Sequence, residues 1–268
     1  MIHQFYISTT ALSAYQKVMV NITNNIANAQ TPGFKSSRVE LEALFPGVLE
    51  ESMNQADEMF RVSDKKKKRV YYGTGVKIAD VIRDFRQGRL EITNQPFDVA
   101  IQGDGFFRFK LPDGTLAYGR AGNLQKNRDG HLVDPNGNLL DPPIRIPINS
   151  TAVNIDREGR VFVQVDNELE SREIGQILLS KFDNPNALQS IGHNLYLETS
   201  LSGTARVHTP GREGAGSIAQ NSLEFSNVNV VNEMMKMVII QRSFELAAKA
   251  IKSGEQMLEA AESIAKGS

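Results

Sequence analysis

Apolar residues recur at helical spacing in two stretches of the chain, one at each end. Over residues 5 to 29, Leu12, Tyr15, Met19, Ile22, Ile26 and Ala29 follow alternating steps of three and four. Gln16, Lys17, Asn21, Asn24, Asn25 and Asn28 take the remaining faces, as in an amphipathic helix. The spacing predicts that this helix stops at Thr31-Pro32-Gly33, because Pro32 disfavours α geometry at the residue before it and Gly33 tolerates a turn. Asparagine is a weak helix former. The run Asn21, Asn24, Asn25, Asn28 is therefore read as a set of hydrogen-bonding groups for lateral packing in an assembly, in preference to a plain solvent face.

The far end mirrors this pattern. Positions 230, 233, 237, 240, 244, 247, 251, 254, 258, 261 and 265 form a strict heptad seam of apolar or small residues, with Met237, Ile240, Phe244, Ile251 and Leu258 as its large members. Only Glu233 and Gly254 interrupt it. A seam of that length favours a coiled-coil-like partner over burial in a compact globule. Ser226-Asn227-Val228-Asn229 offers N-cap residues for its start, and at ~1.5 Å per residue the helix would be roughly 55 Å long. With no evident partner inside the chain for either seam, both ends are expected to stay disordered until assembly supplies one.

Between the helices the pattern changes to short alternating or apolar runs, such as Phe106-Phe107-Arg108-Phe109 and Arg160-Val161-Phe162-Val163-Gln164-Val165. Turn signals separate them: Gly103-Asp104-Gly105, Pro112-Asp113-Gly114, Arg128-Asp129-Gly130, Pro135-Asn136-Gly137 and Arg157-Glu158-Gly159. This predicts an antiparallel β domain over about 96 to 200. The flanking stretches 36 to 95 and 201 to 224 read as extended linkers, the first with the basic run Lys65-Lys66-Lys67-Lys68-Arg69, the second rich in Gly, Ser and Thr. The expected fold class is α+β. Terminal helices (1–35 and 225–268) pair into a coiled-coil-like axial core, and an extended β linker leads to a central antiparallel β domain.

Composition excludes more than it suggests. The 268 residues contain no cysteine, so disulfides, thiol nucleophiles and thiolate metal sites are absent. A formal net charge of -1 gives no reason to expect nucleic acid or an anionic membrane as partner. No run approaches ~18 consecutive apolar residues, so no membrane embedding is expected. Met1 to Gln16 has no Lys or Arg, and Ser8, Thr9, Thr10 and Ser13 break any apolar core of a secretory signal. That leaves a cytoplasmic protein or one exported without a cleaved signal.

Catalytic chemistry finds no foothold. His3, His131, His193 and His208 are scattered and form no ligand-spaced pair. Gly73-Thr74-Gly75 and Gly103-Asp104-Gly105 do not continue into a phosphate loop. Asp134-Pro135-Asn136-Gly137-Asn138 offers oxygen ligands, yet a calcium loop counted from Asp134 would need Gly and Glu where Leu139 and Arg145 stand. A hairpin turn is the better reading. The basic run 65 to 69 reads as a solvated loop, with a contact to a neighbour's acidic surface as the alternative. No enzyme activity, metal or cofactor is expected.

Three motifs then decide the family. Asn24-Asn25-Ile26-Ala27-Asn28-Ala29-Gln30-Thr31-Pro32-Gly33-Phe34-Lys35, Phe97-Asp98-Val99-Ala100-Ile101-Gln102-Gly103-Asp104-Gly105-Phe106-Phe107, and Ser226-Asn227-Val228-Asn229-Val230 followed by Glu233-Met234 and Gln241-Arg242-Ser243-Phe244-Glu245 stand in this order. They resemble the flagellar rod and hook family over nearly the whole chain. Asn24, Asn25, Asn28, Pro32, Gly33, Phe34, Asn227 and Asn229 carry the terminal motifs. Within the family, length, Gly73-Thr74-Gly75-Val76 and Pro112-Asp113-Gly114-Thr115 look most like distal-rod members, with proximal-rod members next.

The resemblance implies a structural subunit of the basal-body rod that spans the periplasm, polymerising into a helical tube that transmits torque from motor to hook. It also implies passage through the flagellar type III export apparatus. The implied partners are copies of the chain, other rod proteins, the hook protein and, further out, the P and L ring proteins. A phage-tail or adhesin fibre subunit is the alternative from another class. That would show continuous heptads on both helices and repeated β segments, whereas the first helix is short and rich in asparagine and no internal repeat is present.

Overall fold

The computed structural model describes residues 2–44, 47–49, 70–165 and 171–266; the basic run 65–69 lies outside them. Two helices bracket an antiparallel β architecture: α1 spans Ile2–Ala27 and α2 spans Val230–Lys266. The chain divides into two compact units. One comprises Met1–Thr23, Arg38–Ile82 and Met234–Ser268; the other comprises Asn24–Ser37 and Arg83–Glu233.

Both helices are formed within a single chain, the greater part of each in the first unit, and their seams are not left bare. Along α2, Glu233 and Gly254 are buried, and Met237, Ile240, Phe244, Ala247 and Ile251 are half-buried. Every other described position from 231 to 257 except Ser243 is exposed. On α1, Ile22 is buried, Leu12, Tyr15, Met19 and Ile26 are half-buried, and Ser8 and Ala14 join the buried face. The expectation that neither seam has a partner inside the chain therefore needs correction. Gly254 shows one contact directly: a Cβ built there would sit 3.2 Å from the Phe5 ring, so the glycine makes room for an aromatic from α1.

The strand Ser37–Ala43 pairs with Val76–Arg83 in a ribbon that continues as Gly47–Leu49 against Val70–Tyr72. Part of the ribbon lies close to α1, since a Cβ at Gly75 would meet the Thr10 hydroxyl at 2.3 Å.

The second unit is built on a nine-stranded sheet whose centre is Phe106–Lys110, paired with Leu116–Gly119, Leu139–Leu140 and Leu179–Lys181. Alternation along Phe106–Lys110 separates two apolar groups. Phe107 and Phe109 enter the main core with Ile101, Leu132, Leu140, Ile144, Ile146, Val161, Ile177, Leu179 and Ile218. Phe106 joins Tyr118 and Tyr196 in a second cluster with Phe85 and Phe182, whose rings meet edge-on at 4.8 to 6.5 Å. A three-stranded sheet, Ser150–Ile155, Arg160–Val165 and Arg172–Gln176, belongs to the same unit.

Four of the five predicted turns form for one shared reason. A side-chain oxygen at the turn's start accepts backbone N–H bonds from residues ahead: Asp113 from Thr115, Asn127 from Asp129 and His131, Asp134 from Asn136 and Asn138, Asp156 from Glu158 and Arg160. The Asp134 loop is thus a hairpin turn, with Val133 opposite Leu139.

The stretch 201–224 differs from its loose composition. It contributes three strands: Arg206–His208 pairs with Leu179–Lys181, Ser217–Gln220 with Val99–Gln102, and Ser222–Glu224 with Leu90–Ile92. These pairings are non-local, and each strand is three or four residues long, too short for a periodic signal.

Candidate functional site

The residues that distinguish this chain converge in the second unit, where the segment after α1 meets the segment before α2. Gly33 opens the convergence. Its φ of +68° suits glycine, and a Cβ would lie 2.4 Å from the Ala121 backbone nitrogen, so only glycine permits this approach. Its N–H donates to the Glu224 carbonyl at 2.8 Å, while Phe34 beside it is buried. Asn194 Nδ2 donates to the Pro32 carbonyl at 3.3 Å.

At the centre is a buried ionic group. Lys35 Nζ lies 2.6 Å from Glu224 Oε1, with both side chains fully buried, and donates also to the Arg86 carbonyl at 2.8 Å. Glu224 Oε1 accepts from the Gly88 N–H at 2.8 Å. Glu224 Oε2 faces Arg120 Nε at 3.7 Å, an ion pair too long for a hydrogen bond, and neither atom has a hydrogen-bond partner. Arg120 Nη1 donates to the Gly103 carbonyl at 2.8 Å, and its guanidinium lies over the Phe106 ring. Burial pushes the Lys35 ammonium below the usual lysine range; Glu224 opposes that shift and Arg120 adds to it. Burial likewise lowers Arg120, against the pull of Glu224 and Asp104.

The asparagines have distinct tasks. Asn227 Oδ1 accepts from the Ser36 N–H, and its Nδ2 donates to the Asp84 and Arg86 carbonyls, so it clasps two segments and does not cap α2. Asn229 provides the cap, its Oδ1 accepting from the Asn232 N–H at 3.1 Å. Asn25 is buried; it accepts from the Ser37 N–H and donates to the Ser37 carbonyl and, at 3.1 Å, to Glu233 Oε2. Asn28 donates to the Asn24 carbonyl and accepts from the Thr31 hydroxyl, closing the turn after α1. Asn229 fills its expected role, while Asn25 and Asn28 make their bonds within the chain, where lateral packing was expected; Asn24 itself is exposed.

The predicted seam residues Leu12, Tyr15, Met19, Ile22, Met237, Ile240, Phe244 and Ile251 belong to the first unit, and Ile26 belongs to the second. The Leu258 side chain lies outside what is described. Sequence reasoning missed Arg120 and Glu224. The available signal was a lone acid in Ser222-Leu223-Glu224-Phe225, directly before the Ser226-Asn227 motif. Among the described residues no group of three or more metal-ligating side chains occurs, and no helix is long and apolar enough to cross a membrane.

Three family models match the chain: "Flagella basal body rod protein" over residues 5–35, "Flagellar hook protein FlgE/F/G D1 domain" over 100–163, and "Flagellar basal body rod FlgEFG protein C-terminal" over 219–264. Lys35, Arg120 and Glu224 come one from each matched segment. The flagellar basal-body rod protein FlgG of Buchnera aphidicola subsp. Schizaphis graminum is 40% identical over 97% of this chain and 98% of its own length. The chain belongs to the flagellar basal-body rod protein family. FlgG of Caulobacter vibrioides is 38% identical over 94% of this chain and 95% of its own, against 30% for the rod protein FlgF of Mesorhizobium japonicum over 92% and 91%. The distal-rod resemblance is thus the stronger, and a phage-tail or adhesin fibre is not favoured. This rod subunit is a structural component of the flagellar basal body.

Proposed function

We propose that α1 and α2 pair along their seams into the axial part of a distal-rod subunit, and that copies of this part polymerise into a helical tube carrying torque from motor to hook. One observation carries the polymerisation: α2 is apolar on two opposite faces. Val231, Met235, Val238, Ile239 and Leu246 are each 50% to 67% exposed. At about 100° per residue they fall roughly 180° from the Met237–Ile240–Phe244 seam. A helix apolar on both sides needs a second layer of protein, and in a rod subunit that layer is a neighbouring subunit.

The pairing is supported by two contacts that account for both interruptions of the seam. Glu233 meets Asn25, and Gly254 meets Phe5. These contacts lie 20 residues apart on α1 and 21 apart on α2, in opposite directions. The same register sets Ile22 against Met237, Met19 against Ile240, Tyr15 against Phe244 and Leu12 against Ala247, so the steps of three and four coincide on both helices. In this reading 1–35 with 225–268 form the axial domain, 36–95 and 201–224 lead outward, and 96–200 form the outer domain. Other rod proteins and the hook protein follow as axial neighbours, the P and L ring proteins as outer ones, and the type III export apparatus as the route.

The chain has no cysteine, so Met19→Cys with Ile240→Cys gives a clean cross-linking test. A disulfide within one subunit, in basal bodies from motile cells, is the expected result. Electron microscopy of basal bodies from a strain lacking the chain should show rods that stop short; full-length rods would refute the function.

A further inference from the structure

Four bonds at the joint tie the N-terminal segment directly to the C-terminal one. Gly33 and Lys35 bind Glu224, Ser36 binds Asn227, and Asn25 binds Glu233. The partners in the central pair are 189 residues apart in sequence. Lys35, Glu224 and Arg120 are all buried, and Glu224 is the buried carboxylate between the two cations, Asp84 and Asp104 acting from more exposed positions. A buried charge that loses its partner is far costlier than a lost surface pair. If the C-terminal segment lifted away, Lys35 and Arg120 would stay behind as adjacent cations without their buried carboxylate, with only Asp84 and Asp104 acting on them from more exposed positions. If the N-terminal segment lifted away, Glu224 would keep only Arg120 at 3.7 Å and the Gly88 N–H. Asn25 and Glu233 repeat the arrangement, a buried amide facing a buried carboxylate.

We infer that these groups form an interlock that makes segments 33–37 and 224–233 dock on the β domain together or not at all. The segment 33–37 and the segment 224–233 then act as one cooperative unit, because neither can bury its polar groups without the other. Coupling of this kind is reciprocal: a lesion on one side opens the other by the same factor. An ordinary packed joint behaves differently, since loss of an apolar contact loosens its own neighbourhood first.

Amide hydrogen exchange on the full-length chain distinguishes the two. Lys35→Met touches only the N-terminal side, and the amides of Phe225 and Asn232 on the other side should exchange roughly 10- to 100-fold faster. Glu224→Gln should accelerate Ser36 and Ser37 by a similar factor. Phe34→Leu, an apolar lesion at a buried neighbour, should accelerate the N-terminal side alone. Amides of Phe107, Leu132 and Val161 in the main core report whether the domain itself is intact. If Lys35→Met unfolds that core, Asn25→Leu offers the same reading at Asn232 and Glu233 through the second bridge. Acceleration confined to the mutated side in these polar variants, or equal spreading in Phe34→Leu, would overturn the interlock.

Discussion

Gly33→Ala tests whether the chain is held as tightly after α1 as the geometry requires. Two costs are involved, and the structure separates them. The first is conformational: at φ +68° an L-residue with a Cβ loses about 1–2 kcal/mol. The second is steric: the new methyl would stand 2.4, 2.6 and 2.8 Å from the Ala121 N, Ala121 Cα and Arg120 carbonyl carbon, all backbone atoms. Ordinary contact needs about 1 Å more, and the segment that must retreat carries Arg120. Retreat would strain the Gly33–Glu224 hydrogen bond and the Arg120–Glu224 contact, adding about 2–3 kcal/mol. Gly114 is the internal control, since its φ is +87° and a Cβ there meets nothing within 4 Å. Gly114→Ala should therefore cost about 1 kcal/mol, and Gly33→Ala about 3–5 kcal/mol. At about 2–4 °C per kcal/mol for a domain of this size, the melting temperatures should differ by roughly 10 °C in thermal unfolding followed by circular dichroism. Equal shifts for the two variants would mean that the close approach at Gly33 does not exist.

The alkaline limb of stability holds two opposed contributions. The folded-state pKa of Lys35 is depressed, so its contribution is lost as pH falls below 10.5 and returns as pH rises towards that value. Wild type should gain on Lys35→Met over that rise in paired denaturation curves. Tyr118 is pushed from 10.0 up to about 12, mainly by burial, so its contribution is complete below pH 10 and lost on the way to 12. Tyr118→Phe should flatten that loss. Ile240→Asp or Ile251→Asp, each placing a charge in the half-buried seam at several kcal/mol if unpaired, should abolish swimming while sparing the β domain's melting transition; normal motility in both would reject the seam. Replacing Lys65 to Arg69 by serine should leave rods intact at low and high salt, because exposed ion pairs contribute ~0–1 kcal/mol each; short or salt-labile rods in isolated basal bodies would make the run an assembly contact.

Local periodicity carried the helices and the turns, because those depend on residues a few positions apart. The α2 seam needed only a step count, and each hairpin turn carried its Asp or Asn a few residues before its glycine. The ionic joint was illegible for the opposite reason. Lys35, Arg120 and Glu224 are ordinary charges in their own neighbourhoods, and only strand pairing across most of the chain removes them from water. The strands at 206–208, 217–220 and 222–224 stayed hidden because they are held by partners and not by their own alternation. The two apparent defects of the seam, Glu233 and Gly254, are the positions where α1 supplies a matching group, an amide for the acid and a ring for the missing side chain.

Thr31-Pro32-Gly33 shows how far local character and mechanical character can diverge. By composition it is a hinge: a residue barred from helix, an imino acid and a glycine at positive φ. A rod subunit with a free hinge at this point would twist there first. The next residues remove that freedom. Asn194 holds the Pro32 carbonyl, Glu224 holds the Gly33 N–H and the Lys35 ammonium, Asn227 holds the Ser36 N–H, and Asn25 reaches forward to both polar groups of Ser37. A rotation at Gly33 large enough to act as a hinge would break several of these bonds at once, and two of the groups left behind would be buried charges. The glycine there serves close approach, not flexibility. Stiffness at this point comes from non-local bonds that hold a locally pliable sequence in one conformation.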